Sequence, residues 1–212
     1  MILGIDSAEN MCYTGTISGT HENIDKVYSD FTKIFKKRYV NPPFHWRKIS
    51  KKVKESCLHE IVETINSANL LINIFEHKRI LKMERKILYF ELLPKYISFR
   101  IYPWVKKLKG SLTIEVDDDY RVCNRSTRDF IIALVEELCF LLTNKKIDAR
   151  VENGVVKSTI KQEIGILNFY GKTVKSDSSK AIQILDIVLG YDIQFKQRFS
   201  KDRVHYWPIF KR

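Results

Sequence analysis

Little in these 212 residues interrupts a folded chain. Five prolines and eight glycines are too few for a long disordered linker. The four cysteines, Cys12, Cys57, Cys123 and Cys139, include no closely spaced pair of the kind a zinc site needs and no dense disulfide framework. A reducing cytoplasm is therefore the expected compartment. No apolar run is long enough to span a bilayer. The opening Met1–Asp6 lacks a basic stretch and meets a charge too early for a secretory signal. Also missing are a phosphate-binding glycine loop, a nucleophile elbow and a His-Glu-x-x-His helix. The histidines, His21, His45, His59, His77 and His205, stand in no metal-ligand spacing; of these, His45 alone lies in a strongly basic turn.

Positive charge is what the chain has in excess. Lys and Arg number 37 against 25 Asp and Glu, for a net +12. Such a surplus favours polyanions, nucleic acid before an anionic membrane surface. The length suits one domain with an insertion.

Hydrophobic patterning predicts the order of elements. Residues 2–8 and 12–18 read as a hairpin of two strands. Residues 21–39 and 47–66 read as amphipathic helices separated by Asn41-Pro42-Pro43. Strands come next at 69–76 and from Gly110 to Asp117, with a helix at 80–93 between them and Pro94 and Pro103 breaking or kinking the stretch up to Leu108. A helix at 127–143 begins beside Ser126, a hairpin signal lies in Glu152-Asn153-Gly154, a short helix is read at 159–169, and a last helix at 179–199. A hairpin start and then alternating strands and helices predict an α/β protein, a mixed sheet flanked by helices, over residues 1–212 as a single domain. The helices at about 20–67 form an insertion after the second strand.

Three aspartates occupy places where a carboxylate is costly. Asp6 lies within the apolar first strand. Asp117 ends the fourth strand and is followed by Asp118 and Asp119. Asp186 interrupts the apolar helix run Ile182–Leu189. An ionised carboxylate in apolar surroundings needs compensation, and converging carboxylates are reconciled by a divalent cation. Magnesium or manganese suits oxygen ligands and phosphate substrates, and a two-metal arrangement cleaves phosphodiesters. Taken singly, each acid also has an ordinary reading: a strand-end cap, a solvated acidic turn, or one partner of an ion pair.

The element order and the acids together resemble the ribonuclease H-like superfamily. In that fold a hairpin opens the chain, its first strand carries an Asp, the fourth strand ends on another, and a late helix carries a third acid. Asp6, Asp117 and Asp186 fall in those places. The chain also looks like an uncharacterised prokaryotic branch of the superfamily, which opens on Asp-Glu-Ser-Gly and closes on a Ser followed by Leu-Gln-Leu-Ala-Asp. The closing segment here is Ser179-Lys180-Ala181-Ile182-Gln183-Ile184-Leu185-Asp186; the opening is Asp6-Ser7-Ala8, without the second acid. The resemblance implies a metal-dependent nuclease with Asp6, Asp117 and Asp186 as metal ligands and catalytic residues. It further implies a Glu on the helix after the third strand, for which Glu84 and Glu91 are alternatives.

Between Phe31 and Lys54 no acid occurs. The basic residues Lys36, Lys37, Arg38, Arg47, Lys48, Lys51 and Lys52, with Trp46 among them, are the expected nucleic-acid-binding set: cations for phosphates and an aromatic for bases. The aromatics of Lys95–Lys109 recur at helical spacing and read as core, and the segment from His205 to Arg212 reads as a docking or binding tail. Two other functions stay open, a non-catalytic nucleic-acid-binding protein on the same fold and a protein-interaction module that docks through the insertion. DNA and RNA are not distinguished.

Overall fold

The computed structural model describes residues 1–8, 12–77, 87–118, 127–195 and 199–209, without the side chains of Tyr89 and Phe90. The strands are β1 (Ile2–Ala8), β2 (Tyr13–Gly19), β3 (Leu71–Glu76), β4 (Gly110–Asp117), β5 (Arg150–Glu152), β6 (Val155–Gln162), β7 (Gly165–Val174) and β8 (Val204–Pro208). The helices are α1 (His21–Lys36), α2 (Lys51–Ser56), α3 (Leu58–Ser67), α4 (Leu93–Val105), α5 (Thr127–Thr143) and α6 (Lys180–Phe195). One eight-stranded mixed sheet runs in the order β5-β6-β7-β4-β1-β2-β3-β8. At its centre β1 pairs antiparallel with β2 and parallel with β4. Among the described residues, no helix is long and apolar enough to cross a membrane.

The pleat divides the sheet into two cores. On one face Ile2 and Ile17 join α1, α3 and α6; on the other Leu3, Ile5, Leu112, Ile114 and Val116 join α4 and α5. Gly4 marks how tightly α6 sits on the first face: a Cβ there would lie 2.9 Å from Ile17 and 3.0 Å from Ala181. Thr20 caps α1 through the Asn23 N–H, and Ser50 caps α2 through Val53 N–H. Ser179 caps α6 by accepting from Ile182 N–H, while its hydroxyl donates to Glu115 on β4 at 2.7 Å. The last helix is thus fastened to the central sheet at its first turn. The expected cap Ser126 lies outside the described residues.

Three expectations change. The helix read at 47–66 is a 3-10 turn at Trp46–Lys48 followed by α2 and α3, divided at Cys57, whose φ of −119° and ψ of 9° leave the helical region. The short helix read at 159–169 is the hairpin β6-β7: Val156, Ser158 and Ile160 alternate inward with Leu167 and Phe169, and Gly165 turns the chain at φ 135°. No break occurs at Pro94 or Pro103. A π-helical turn at Leu88–Leu92 leads into α4; Pro94 fits its first turn, where no intrahelical N–H is needed, and Pro103 lies near its end. The docked alternative for the C-terminal segment is the one seen: Val204–Pro208 forms β8, parallel to β3, and residues 210–212 lie outside the described residues.

Candidate functional site: an acid pair and the segment that faces it

β1 and β4 bring two carboxyls together. Their parallel pairing runs through Ile5 opposite Val116, so the next positions are Asp6 and Asp117. Both point to the α6 face, because Leu3, Ile5, Ile114 and Val116 are committed to the other one. Asp6 is 6% exposed and Asp117 7%. The two side chains hydrogen-bond to each other, and the Asp6 carboxyl is pushed well above the usual 3.8. Burial is the main cause; the neighbouring charges of Asp117 and then Asp186 add to it, against a bond from Ser7 N–H to Asp6 Oδ1 at 2.6 Å. Two like charges in a low-dielectric site resist ionising together. The pair is therefore harder to ionise fully than two separate carboxyls would be.

Asp186 stands on α6 near enough for Asp6 to feel its charge, but its surroundings differ. Its Oδ2 accepts the Trp46 N–H at 2.9 Å. Burial raises its pKa, and Trp46 N–H, His45, Arg47 and Lys54 oppose the shift. Among the described residues, no group of three or more His, Cys, Asp or Glu could hold one metal ion. The three aspartates are brought into one neighbourhood, with two in contact and the third turned partly toward the insertion.

Gln183, Asp186, Gly190 and Gln194 form a stripe along α6 that holds residues 44–46. Gln183 Oε1 accepts Phe44 N–H at 2.7 Å and Tyr28 O–H at 3.1 Å, and Gln194 Oε1 accepts Trp46 Nε1–H at 3.1 Å. The Trp46 ring lies directly over Gly190, while Lys54 lies over the ring itself, 4.7 Å from its centroid. His45 bonds Asp177 just ahead of α6. The Gln and Asp of the closing motif thus fasten the insertion to the last helix. The signal was present in the sequence: polar or small residues at 183, 186, 190 and 194 repeat at helical spacing on an otherwise apolar helix.

The basic set divides. Lys36, Lys37, Arg47, Lys48, Lys51 and Lys52 are exposed. Trp46 is only 4% exposed, packed against Tyr191 and Phe195, and offers no face to a base. Arg38 serves the structure: it donates to Ile34 O, Ser56 Oγ, Ser56 O and Glu60, binding α1 to the α2–α3 pair. The exposed aromatic of the insertion is Tyr39, at 96%.

Asp118 is exposed. Asp119 and Glu84 lie outside the described residues. Glu91 is exposed, on the helical stretch whose Leu88 and Leu93 pack the sheet face opposite Asp6.

No family model, curated protein or solved structure matches the chain.

Proposed function

We propose that this chain is a divalent-metal-dependent nuclease, or a related phosphodiester-cleaving enzyme, on a ribonuclease H-like fold. One observation carries the reading: two buried, mutually hydrogen-bonded carboxyls at adjoining positions of the central parallel strands, with a third carboxyl in electrostatic range. Ligands of open α/β sheets gather beyond the carboxyl ends of parallel strands, where strand order reverses. The fold assignment is supported by the central order β3-β2-β1-β4-β7 with β1 antiparallel to β2 and parallel to β4 and by α6 bringing Asp186 to that face.

The donor set fits a hard cation. Asp6 and Asp117 offer carboxylate oxygens whose joint ionisation a bound cation would favour. Bound there, magnesium or manganese would activate water against a phosphodiester. Asp186 adds negative charge beside the pair and fixes the start of the Trp46–Lys48 turn through Trp46 N–H. The exposed Lys36, Lys37, Arg47, Lys48, Lys51 and Lys52 would hold the phosphate chain.

A second reading, a nucleic-acid-binding protein without catalysis, is favoured by the partial commitment of Asp186 to Trp46 N–H. Cleavage of labelled DNA and RNA with and without magnesium or manganese separates the two. The nuclease reading expects divalent-dependent cleavage that Asp6→Asn abolishes with the fold intact. Undiminished cleavage by that variant, or none by the wild type with either ion, refutes it.

A further inference from the structure

The sheet face that carries Asp6 and Asp117 is covered by α6 over β1 and β2. Past β4, among the described residues, its outward side chains Thr159, Lys161, Ile166, Tyr170 and Lys172 are exposed. On β6 and β7 the inward residues, Val156, Ser158, Ile160, Leu167 and Phe169, pack toward α5, and the outward ones are Lys157, Thr159, Lys161, Ile166, Tyr170 and Lys172. Register makes them neighbours. Tyr170 lies between Thr113 on β4 and Lys157 on β6, with Arg150 of β5 beyond; Lys172 lies beside Glu115; Asn168 lies beside Thr159. The cations Arg150, Lys157, Lys161 and Lys172 lie along this strip; Lys157 pairs with Glu152 at 2.8 Å and Lys172 with Glu115 at 3.0 Å.

We infer that this open face is the track for a single strand of nucleic acid leading to the acid pair, with Tyr170 as its stacking platform. The inference rests on the proposed phosphodiester-cleaving site and names its substrate as single-stranded. Three observations select that occupant. The face is continuous with the site: Asp117 is four residues along β4 from Thr113, the partner of Tyr170, or about 13 Å at roughly 3.3 Å per residue. Tyr170 is 39% exposed amid lysines, and an exposed ring can stack on a base only when that base is free of a duplex neighbour. The strip from β4 to β6 is about 10 Å wide, three strands at roughly 4.8 Å spacing, room for one nucleotide chain. Lysines at its rim meet phosphates, and Asn168 and Thr159 supply hydrogen-bonding groups beside the ring.

The test is fluorescence anisotropy with labelled oligothymidine and oligouridine in EDTA, so that binding is read without cleavage. Tyr170→Ala should weaken binding about tenfold, and Tyr170→Phe, which keeps the ring, should bind like the wild type. Lys157→Gln with Lys161→Gln should flatten the salt dependence by about 1.4 in log-log slope, roughly 0.7 for each phosphate no longer neutralised. Thermal melts confirm that each variant is folded; Lys161→Gln alone, at an exposed position, serves if the double variant is not. Unchanged affinity in both Tyr170→Ala and the lysine variant overturns the inference, and so does a preference for duplex over single strand. In either case divalent-dependent cleavage can survive. Conversely, weakened binding in both variants without cleavage by the wild type leaves the track standing and removes the catalytic reading.

Discussion

Gly190→Ala should destabilise this protein although alanine is the better helix former. In an exposed helix interior that exchange gains about 1 kcal/mol. Here the added Cβ would lie 2.1 Å from Trp46 Cδ1, 2.2 Å from Cγ and 2.7 Å from Cβ. These are ring-root and stem atoms, which cannot swing away as the tip of a flexible side chain can. The indole must shift, although it is buried against Tyr191 and Phe195, and a shift strains the bonds from Trp46 N–H to Asp186 and from Nε1–H to Gln194. Overpacking costs about 1–3 kcal/mol, and each weakened hydrogen bond about 1 kcal/mol more. After the helical gain, the net loss is about 2–4 kcal/mol. At roughly 2–4 °C per kcal/mol for a chain of this size, the melting temperature should fall by about 4–16 °C. Thermal and urea unfolding measure this, and tryptophan fluorescence reports whether the indole has moved. A melting temperature at or above wild type would refute the seating of Trp46 on α6.

Asp6→Asn should make the metal-free protein more stable at neutral pH while removing cleavage. The folded protein holds the Asp6 proton above the usual 3.8, so in this window the native state binds more protons than the unfolded chain. Wild-type stability should therefore fall as pH rises from about 3.8 through the raised value, then level off. Asn accepts the Ser7 N–H and donates to Asp117 without titrating. Urea unfolding in EDTA across that window should show a downward slope for the wild type and a flatter one for the variant; equal slopes would contradict the acid pair. Arg38→Ala should cost about 1–3 kcal/mol, because one guanidinium donates to Ile34, Ser56 and Glu60. Oligonucleotide affinity should change less with Arg38→Ala than with Lys48→Ala, as anisotropy on the two variants will show.

What could be read from sequence was set by local pattern. Asp6 stood out as a charge within an apolar strand and Asp117 as the acid that ends the fourth; in the fold, the alternation with Leu3, Ile5, Ile114 and Val116 puts both on one face. Asp186 stood out as a charge in an apolar helix. The mutual approach of Asp6 and Asp117 comes from the parallel pairing of β1 with β4, a long-range contact that local pattern does not specify. Long-range packing was harder. Trp46 reads as an exposed ring in a basic turn; the bare Gly190 with Tyr191 and Phe195, well over a hundred residues away, buries it. Arg38 is indistinguishable from Lys36 and Lys37 until Glu60 and Ser56 come round on α2 and α3. Lys161-Gln162-Glu163 favours a helix by composition, and the alternation of Val156, Ser158, Ile160, Leu167 and Phe169 around it outweighs that local preference. The open face of β6 and β7 was hidden with it.

Manganese binding to the wild type and to Asp117→Asn, measured by electron paramagnetic resonance and calorimetry, is the sharpest test of the acid pair as a metal site. Saturable binding by the wild type is expected, and it should tighten as pH rises, because the raised Asp6 carboxyl must ionise to bind the cation. Asp117→Asn should weaken it by more than the roughly 10–100-fold loss typical of a mere supporting group. No saturable binding by the wild type, or equal affinity in the two proteins, would contradict a cation held by these two carboxylates.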